Sequence, residues 1–151
     1  MGDKRDQFLV TVHLILIQAN QILLLRRFNT GYEDGKYSLI AGHVEHSEWI
    51  RDAMIREARE EAGIEIAGAD LSITGVLQRK TTDERIDFFL AARTWLGEIT
   101  NQEPDKCDEL AWFGLDRLPT NVIPYIRRAI ENCQKQQGMW FDTFEDPLSP
   151  P

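Results

Sequence analysis

Three glutamates near the middle of the chain, Glu57, Glu60 and Glu61, have the spacing of a shared helix face. A helix turns about 100° per residue, so their side chains fall inside an arc of roughly 100°. Like charges at these spacings repel by a few tenths of a kcal/mol on an exposed helix, and by more where they are partly buried. Either solvent or a bound cation must offset that repulsion. Hard cations such as Mg²⁺ prefer oxygen ligands, so the cluster is a candidate metal site.

A short loop leads from Gly42 directly into this helix. The loop is expected to place a backbone carbonyl and further oxygen atoms beside the three carboxylates. Ser47 predicts the N-cap of the helix, and Gly63 predicts its end. Small apolar side chains share the adjoining face, which suits packing against a sheet. They are Met54, Ile55, Ala58 and Ala62.

The rest of the sequence predicts strands on both sides of that helix and a second helix near the end. Aliphatic and β-branched runs predict strands at 8–17, 22–25, 37–41, 71–77, 86–92 and 110–113. A last helix is expected from 120 or 121 to about 137. The segment 139–151 is a polar, proline-bearing tail that either docks through its aromatic residues or stays flexible. We therefore predict one α/β domain over residues 1–151, with a mixed sheet covered on two faces.

The composition is that of an acidic globular protein. Of 151 residues, 42% are hydrophobic and 28% are charged, which excludes the collagenous and disordered classes. The 17 basic and 25 acidic residues give a net charge of -8, which disfavours a nucleic-acid polymer as partner. We expect no membrane-spanning helix and no signal peptide. The two cysteines, Cys107 and Cys133, lack metal-site spacing, so we expect reduced thiols in a cytoplasmic protein.

The spacing around the glutamates also matches a family pattern. The pattern is Gly, five residues, Glu, seven residues, Arg-Glu, an aliphatic residue, any residue, Glu-Glu, any residue, Gly and an aliphatic residue. Every fixed position is filled, by Gly42, Glu48, Arg56, Glu57, Glu60, Glu61 and Gly63, and the aliphatic positions hold Ala58 and Ile64. The sequence therefore resembles the Nudix hydrolases over most of its length, to about residue 137. One departure precedes the motif, where Ile40-Ala41 replaces the more usual Pro-Gly.

The resemblance implies a Nudix-type α/β/α sandwich that hydrolyses a diphosphate linkage. The implied substrate is a nucleoside triphosphate or a nucleoside diphosphate joined to another group. It also implies Mg²⁺, with Mn²⁺ as a substitute. The implied metal ligands are the backbone carbonyl of Gly42 and the carboxylates of Glu57, Glu60 and Glu61. Arg56 is implied among the catalytic residues, and Arg56 with Glu48 resembles the pair that braces the loop against the helix.

Two assignments within this set stay open. Glu60 is the first choice for the general base and Glu61 is the alternative. Glu103 is a candidate for a further metal ligand from outside the motif, although an ordinary solvated loop would equally explain an acidic residue there.

The substrate is less well defined than the reaction. This chain lacks the added motifs of ADP-ribose and diadenosine polyphosphate members, and its compact size resembles that of nucleoside triphosphate pyrophosphatases. Trp112, Phe113 and Tyr125 are candidates for a wall that stacks on a base, with core packing as the alternative. A non-catalytic module that senses a nucleotide is the second functional hypothesis. We expect a monomer or homodimer that acts on a small-molecule nucleotide.

Overall fold

The computed structural model describes residues 7–146 of the chain. The strands are β1 (Leu9–Ile15), β2 (Ile17–Gln18), β3 (Gln21–Arg27), β4 (Tyr37–Ser38), β5 (Ile40–His43), β6 (Leu71–Lys80), β7 (Glu84–Ala92), β8 (Cys107–Gly114) and β9 (Trp140–Glu145). The helices are α1 (Ile50–Ala62) and α2 (Pro124–Lys135), and a 3₁₀ turn at Gly68–Asp70 precedes β6. The predicted strands and helices correspond to these elements, although the predicted start of the last helix at 120 or 121 is wrong, because α2 begins at Pro124 with Ile123 at the cap position. β9 is an additional strand within the predicted tail.

Five strands form a mixed sheet in the order β5-β1-β7-β6-β9. β1 pairs antiparallel with β5 and parallel with β7, and β6 and β7 form an antiparallel hairpin. β9 pairs in parallel with β6 at the edge of this sheet. The segment predicted as a docked or flexible tail is therefore docked over residues 140–145. The prediction for residues 147–151 lies outside the described residues.

A second sheet is built around β3 and is entirely antiparallel. β2, β4 and β8 each pair with β3. The β3–β8 pairing places Ile22 opposite Phe113 near one end of β3 and Arg27 opposite Cys107 at the other. Ile22 and Phe113 therefore lie at the opposite end of the β3–β8 pair from Arg27 and Cys107.

The two helices contribute to different hydrophobic clusters on the two faces of the mixed sheet. Val12 and Leu14 of β1 belong to the cluster that contains the buried side of α1, whereas Ile15 belongs to the cluster that contains α2. Side chains alternate between the faces of a strand, so this division follows from the pleat. The predicted α/β/α arrangement with a mixed sheet is confirmed.

The two ends of α1 differ in how well the sequence predicts them. Gly63 ends the helix as expected, with a left-handed φ of 70° and its N–H donating to the carbonyl of Arg59. The predicted N-cap at Ser47 is wrong, because Ser47 has a φ of 62° and lies in the turn before the helix. Trp49 occupies the cap position without a side-chain hydrogen bond. Across residues 7–146, neither helix combines the length and apolarity that a membrane crossing requires.

Candidate active site

A cavity of about 560 Å³ lies between the two sheets. The mixed sheet contributes residues of β1, β5, β6 and β7. The second sheet contributes Leu25, Arg27, Cys107 and Leu110. Glu61 lines the cavity from α1, and Tyr125 lines it from α2. The cavity thus joins the acidic face of α1 to the polar side chains of both sheets.

Glu57 is a buried carboxylate held between α1 and β5. It packs so closely on Gly42 that a Cβ atom at position 42 would overlap the carboxylate. Burial raises the pKa of Glu57 because it disfavours the charged form, although the neighbouring Arg56 guanidinium opposes this shift. Glycine at position 42 therefore provides the space in which this carboxylate meets the strand.

Glu61 reaches the same strand one residue earlier. Its Oε2 accepts a hydrogen bond from the backbone N–H of Ala41 at 2.9 Å. Burial raises the pKa of Glu61 well above its usual range, and repulsion from Glu57 adds to the shift. Two neighbouring carboxylates that disfavour each other's charged forms would both be stabilised as anions by a cation.

Arg56 connects the motif's loop to its helix. Its Nε and Nη2 donate to the two carboxylate oxygens of Glu48 at 2.8 and 3.0 Å, and its Nη2 also donates to the carbonyl of His43 at 3.1 Å. Its Nη1 donates to Glu57 at 2.8 Å and to Glu60 at 3.3 Å. The Arg56 guanidinium lowers the pKa of Glu48. These contacts are those expected of a pair that braces the loop.

Glu60 and Glu103 occupy different surroundings. Glu60 is exposed and, unlike Glu61, does not line the cavity. Glu103 lines the cavity from the segment before β8, where its backbone N–H donates to the side chain of Asn101 at 3.0 Å. The structure therefore brings Glu61 and Glu103 to one cavity. Glu57 lies one turn before Glu61 on α1.

Nudix enzymes generally use divalent metal ions. Across residues 7–146, no three His, Cys, Asp or Glu side chains are grouped closely enough to hold an ion. Each of the three carboxylates has a protein partner, since Arg56 donates to Glu57 and Glu60 and the N–H of Ala41 donates to Glu61. The donor set nevertheless fits a hard divalent cation, because it consists of carboxylate oxygens beside a glycine with room for one of them.

The three aromatic candidates for base stacking do not lie together. Tyr125 lines the cavity. Trp112 does not, and its ring stacks with that of Trp95 at 6.4 Å in the α1 cluster. Phe113 also lies outside the lining and packs edge-on against Tyr37 at 5.0 Å in the α2 cluster. Both pair with the half of β3 that is distant from the cavity, so their positions favour the alternative role of core packing.

Other cavity residues have no clear signal in the sequence. Arg27 and Tyr32 lie where the chain leaves β3, and the Arg27 guanidinium is 5.3 Å from the Tyr32 ring centroid. His13 and Arg79 lie on β1 and β6, and both are almost fully buried. These residues come from separate segments, so no local spacing relates them. Only the pairing of strands brings them to one cavity.

The fold and the site together define an α/β domain with buried carboxylates at the edge of a cavity between two sheets. Residues 7–133 match the family described as NUDIX domain, and the chain belongs to this family of pyrophosphohydrolases. The resemblance deduced from the motif is thereby confirmed.

Proteins of several kinds are similar to this chain. The NAD-capped RNA hydrolase NudC of Pseudomonas aeruginosa is 33% identical over 106 residues, which are 70% of this chain and 36% of NudC. The chain thus spans about a third of the length of NudC. The ADP-ribose pyrophosphatase of Methanocaldococcus jannaschii is 31% identical over 113 residues, 73% of this chain and 64% of that protein. The crystal structure of a MutT NUDIX hydrolase from Burkholderia pseudomallei has a TM-score of 0.78 at 28% identity, covering 84% of this chain and 98% of that one.

Proposed function

We propose that this chain hydrolyses a diphosphate linkage in a nucleotide, with water attacking phosphorus. The observation that carries the proposal is the position of Glu57 and Glu61, which meet Gly42 and Ala41 at the edge of the cavity. This placement puts the acidic face of α1 next to a space of about 560 Å³, and ligand sites commonly range from about 300 to 1,000 Å³.

Each residue of the site has a proposed role. Glu57, Glu60, Glu61 and the Gly42 carbonyl would hold Mg²⁺ or Mn²⁺, with Glu103 as a further ligand. Such an ion, when bound, supplies charge neutralisation at the diphosphate and favours ionisation of water. Arg56 and Glu48 keep the loop fixed against the helix.

The general base is proposed to be Glu60 or Glu61, which would accept the proton of the attacking water. The order along the helix axis favours Glu60, because it lies between Glu57 and Glu61 in the chain. The cavity favours Glu61, because Glu61 lines it and Glu60 does not. Replacing each glutamate separately by glutamine removes the basic oxygen while keeping the side chain's size, so the two variants compare these roles.

For the substrate, we propose a nucleoside triphosphate that is cleaved to a monophosphate and pyrophosphate. The sequence lacks the motifs of ADP-ribose and diadenosine polyphosphate members after the glutamate helix, which supports this class. The names of the relatives supply further candidates, since one is an ADP-ribose pyrophosphatase and another a hydrolase of NAD-capped RNA. A test of the proposal therefore includes ADP-ribose, NAD and NAD-capped RNA beside the eight common nucleoside triphosphates and deoxynucleoside triphosphates.

A nucleotide-sensing module is the second candidate. Its support is that Nη1 of Arg56 donates to both Glu57 and Glu60, so that a side chain of the protein already neutralises part of the acidic face. Binding without turnover would be the mark of such a module.

The deciding experiment incubates purified protein with Mg²⁺ and each compound, and identifies the products by chromatography. We expect one or more compounds to yield a nucleoside monophosphate, and EDTA to stop the reaction. Glu60→Gln and Glu61→Gln should each lower the rate at least tenfold. Glu65→Gln is the matched control, because Glu65 is exposed and pairs with Arg59 on the helix surface. Binding without any product would support the sensing module, and full activity of both variants would contradict the proposed site.

A further inference from the structure

The C-terminal strand β9 lies beyond the matched residues 7–133, yet it is tied to the cavity. Asp146 follows β9 directly, and its backbone N–H donates to the carbonyl of Lys80 at 2.9 Å. The Asp146 carboxylate then accepts a hydrogen bond from Nη1 of Arg79 at 3.1 Å. Arg79 lines the cavity, so one contact joins the end of the described chain to the candidate site.

Arg79 is unusual because it is only 1% exposed. Its Nε and Nη2 donate to the two oxygens of Asp87 at 2.7 and 3.3 Å. The guanidinium also stacks over the Tyr125 ring, 3.6 Å from its centroid. Asp87 in turn accepts a hydrogen bond from the Thr11 hydroxyl. These contacts fix the plane of the guanidinium in one orientation.

Two of the five N–H groups of Arg79 remain without a partner among the described residues. An arginine has five such donors, and the contacts with Asp87 and Asp146 account for three. A buried donor that lacks an acceptor costs about 1–3 kcal/mol. His13 also has a buried nitrogen without a partner, Nδ1, while its Nε2 lies 3.3 Å from the Tyr125 hydroxyl; the tautomer sets whether Nδ1 donates or accepts. Arg79 and His13 both line the cavity, so a ligand there would relieve the deficit.

These groups lie far from the acidic face of α1. Gly42 is on β5, and Arg79 is on β6, which is three strands away in the order β5-β1-β7-β6. Neighbouring strands are about 4.8 Å apart, so the separation across the sheet is on the order of 14 Å. A substrate whose diphosphate lies beside Glu57 and Glu61 would therefore extend its remote end toward Arg79.

The charges around Arg79 decide which part of the substrate can bind there. Arg79 and its cross-strand neighbour Arg85 carry two positive charges, while Asp87, Asp146 and Asp83, which contact them, carry three negative charges. A phosphate or carboxylate would be repelled by this excess, whereas a neutral acceptor would not. Carbonyl oxygens and ring nitrogens of a base are neutral acceptors, and arginine donates to such atoms readily.

We propose that Arg79 is a specificity-determining residue that donates hydrogen bonds to the base of the substrate, and that Asp146 is its positioning residue. β9 thus supports the binding site from outside the cavity, through the contact of Asp146 with Arg79. The inference rests on the proposed function, since it takes the substrate to be a nucleotide. Because the contact is with the base, it affects affinity and base preference rather than the step at phosphorus.

Binding of reaction products tests this inference without requiring turnover. AMP, GMP, CMP, UMP and ribose 5-phosphate are titrated into the protein by calorimetry, in EDTA. We expect the wild-type protein to bind at least one monophosphate more tightly than ribose 5-phosphate, which lacks a base. Asp146→Asn should weaken binding of that monophosphate at least fivefold and leave ribose 5-phosphate unchanged. Asp146→Glu should restore part of the loss.

Asp142→Asn is the matched control. Asp142 is also on β9, but its carboxylate bonds Arg128 and Asn132 of α2 rather than Arg79. It should bind the monophosphate like the wild-type protein, and thermal unfolding should show both variants folded. Should Asp146→Asn fail to fold, Arg79→Lys replaces it, because lysine keeps the charge but lacks the planar set of donors, with Arg128→Lys as the control outside the cavity lining.

Two results would overturn the inference: no preference of the wild-type protein for any monophosphate over ribose 5-phosphate, or equal losses in the Asp142 and Asp146 variants. Failure of the proposed function looks different. Base-dependent binding that is sensitive to Asp146, without hydrolysis of any compound, would contradict the enzyme and leave this inference standing. Hydrolysis of a compound, together with no effect of Asp146→Asn on binding, would support the enzyme and contradict this inference.

Discussion

The carboxylate of Glu57 lies against the α-carbon of Gly42, in space that any side chain at position 42 would occupy. Gly42 has no positive φ, so it is the lack of a Cβ atom, rather than backbone conformation, that the site uses. The same carboxylate accepts a hydrogen bond from Nη1 of Arg56 at 2.8 Å, so a displacement from Gly42 would also disturb the contact with Arg56.

Gly42→Ala should therefore lower the hydrolysis rate at least tenfold, because it displaces Glu57 from the strand. The rate is measured on the best compound of the nucleotide panel at saturating Mg²⁺. Gly68→Ala is the control, because a Cβ atom at position 68 meets nothing within 4 Å. A Gly42→Ala protein with the wild-type rate would show that the position of Glu57 is unimportant.

Arg56→Lys tests the bracing of the loop. A lysine has a single ammonium and cannot donate in parallel to both Glu48 oxygens while reaching the His43 carbonyl and Glu57. We expect the variant to lose about 1–3 kcal/mol in free energy of unfolding, measured with urea. Arg59→Lys on the same helix should change it by less than about 0.5 kcal/mol, since Arg59 and Glu65 form an exposed pair. Equal effects of the two substitutions would contradict a special role for Arg56.

The acidic face of α1 could be predicted because helical spacing is a local property. Glu57, Glu60 and Glu61 follow from the 3.6-residue period, and Gly63 ends the helix through its left-handed φ. The N-cap prediction at Ser47 was wrong for an equally local reason. Serine is favoured both at N-caps and in turns, and in this structure Ser47 lies in a turn with a φ of 62°.

The cavity could not be predicted in the same way, because strand pairing determines it. Alternation along β8 shows that Trp112 and Phe113 face opposite sides, but it does not show that the cavity lies at the other end of the strand. The Arg79–Asp87 ion pair likewise depends on the register of the β6–β7 hairpin. β9 could not be predicted because polar residues surround it in the sequence, although Trp140 within it is only 2% exposed.

Acid should destabilise the protein through His13. Burial lowers the pKa of His13 from 6.5 to about 4. Between these values the unfolded chain binds a proton at His13 that the folded chain does not, so the contribution of His13 to stability falls as the pH falls, whereas the raised pKa values of Glu57 and Glu61 act in the opposite direction. The loss begins near pH 6.5 and is complete below about pH 4, and a difference of this size corresponds to about 3 kcal/mol. Asp87, whose pKa is held low by His13 and Arg79 against the effect of burial, adds a further loss at lower pH.

Urea unfolding between pH 4 and 7 measures this slope. His13→Phe should flatten it, whatever the variant's stability at pH 7, because the titrating group is gone. His46→Gln removes an exposed imidazole and keeps His13, so it should retain the slope. An unchanged slope in His13→Phe would assign the acid sensitivity to other groups.

Gly75→Ala tests whether β9 is held as firmly as its contacts suggest. Gly75 pairs with Trp140 across the β6–β9 ladder, and a Cβ atom at position 75 would overlap the indole ring. Trp140 has little freedom to move, because its ring packs 5.5 Å from that of Phe89 and its Nε1 donates to Cys133 Sγ at 3.3 Å. Overpacking of this kind typically costs about 1–3 kcal/mol, which urea unfolding would detect. Gly68→Ala should change stability much less, because its Cβ atom enters open space. A stable Gly75→Ala protein would mean that Trp140 shifts at little cost, and β9 would then be too loosely held to position Arg79 through Asp146.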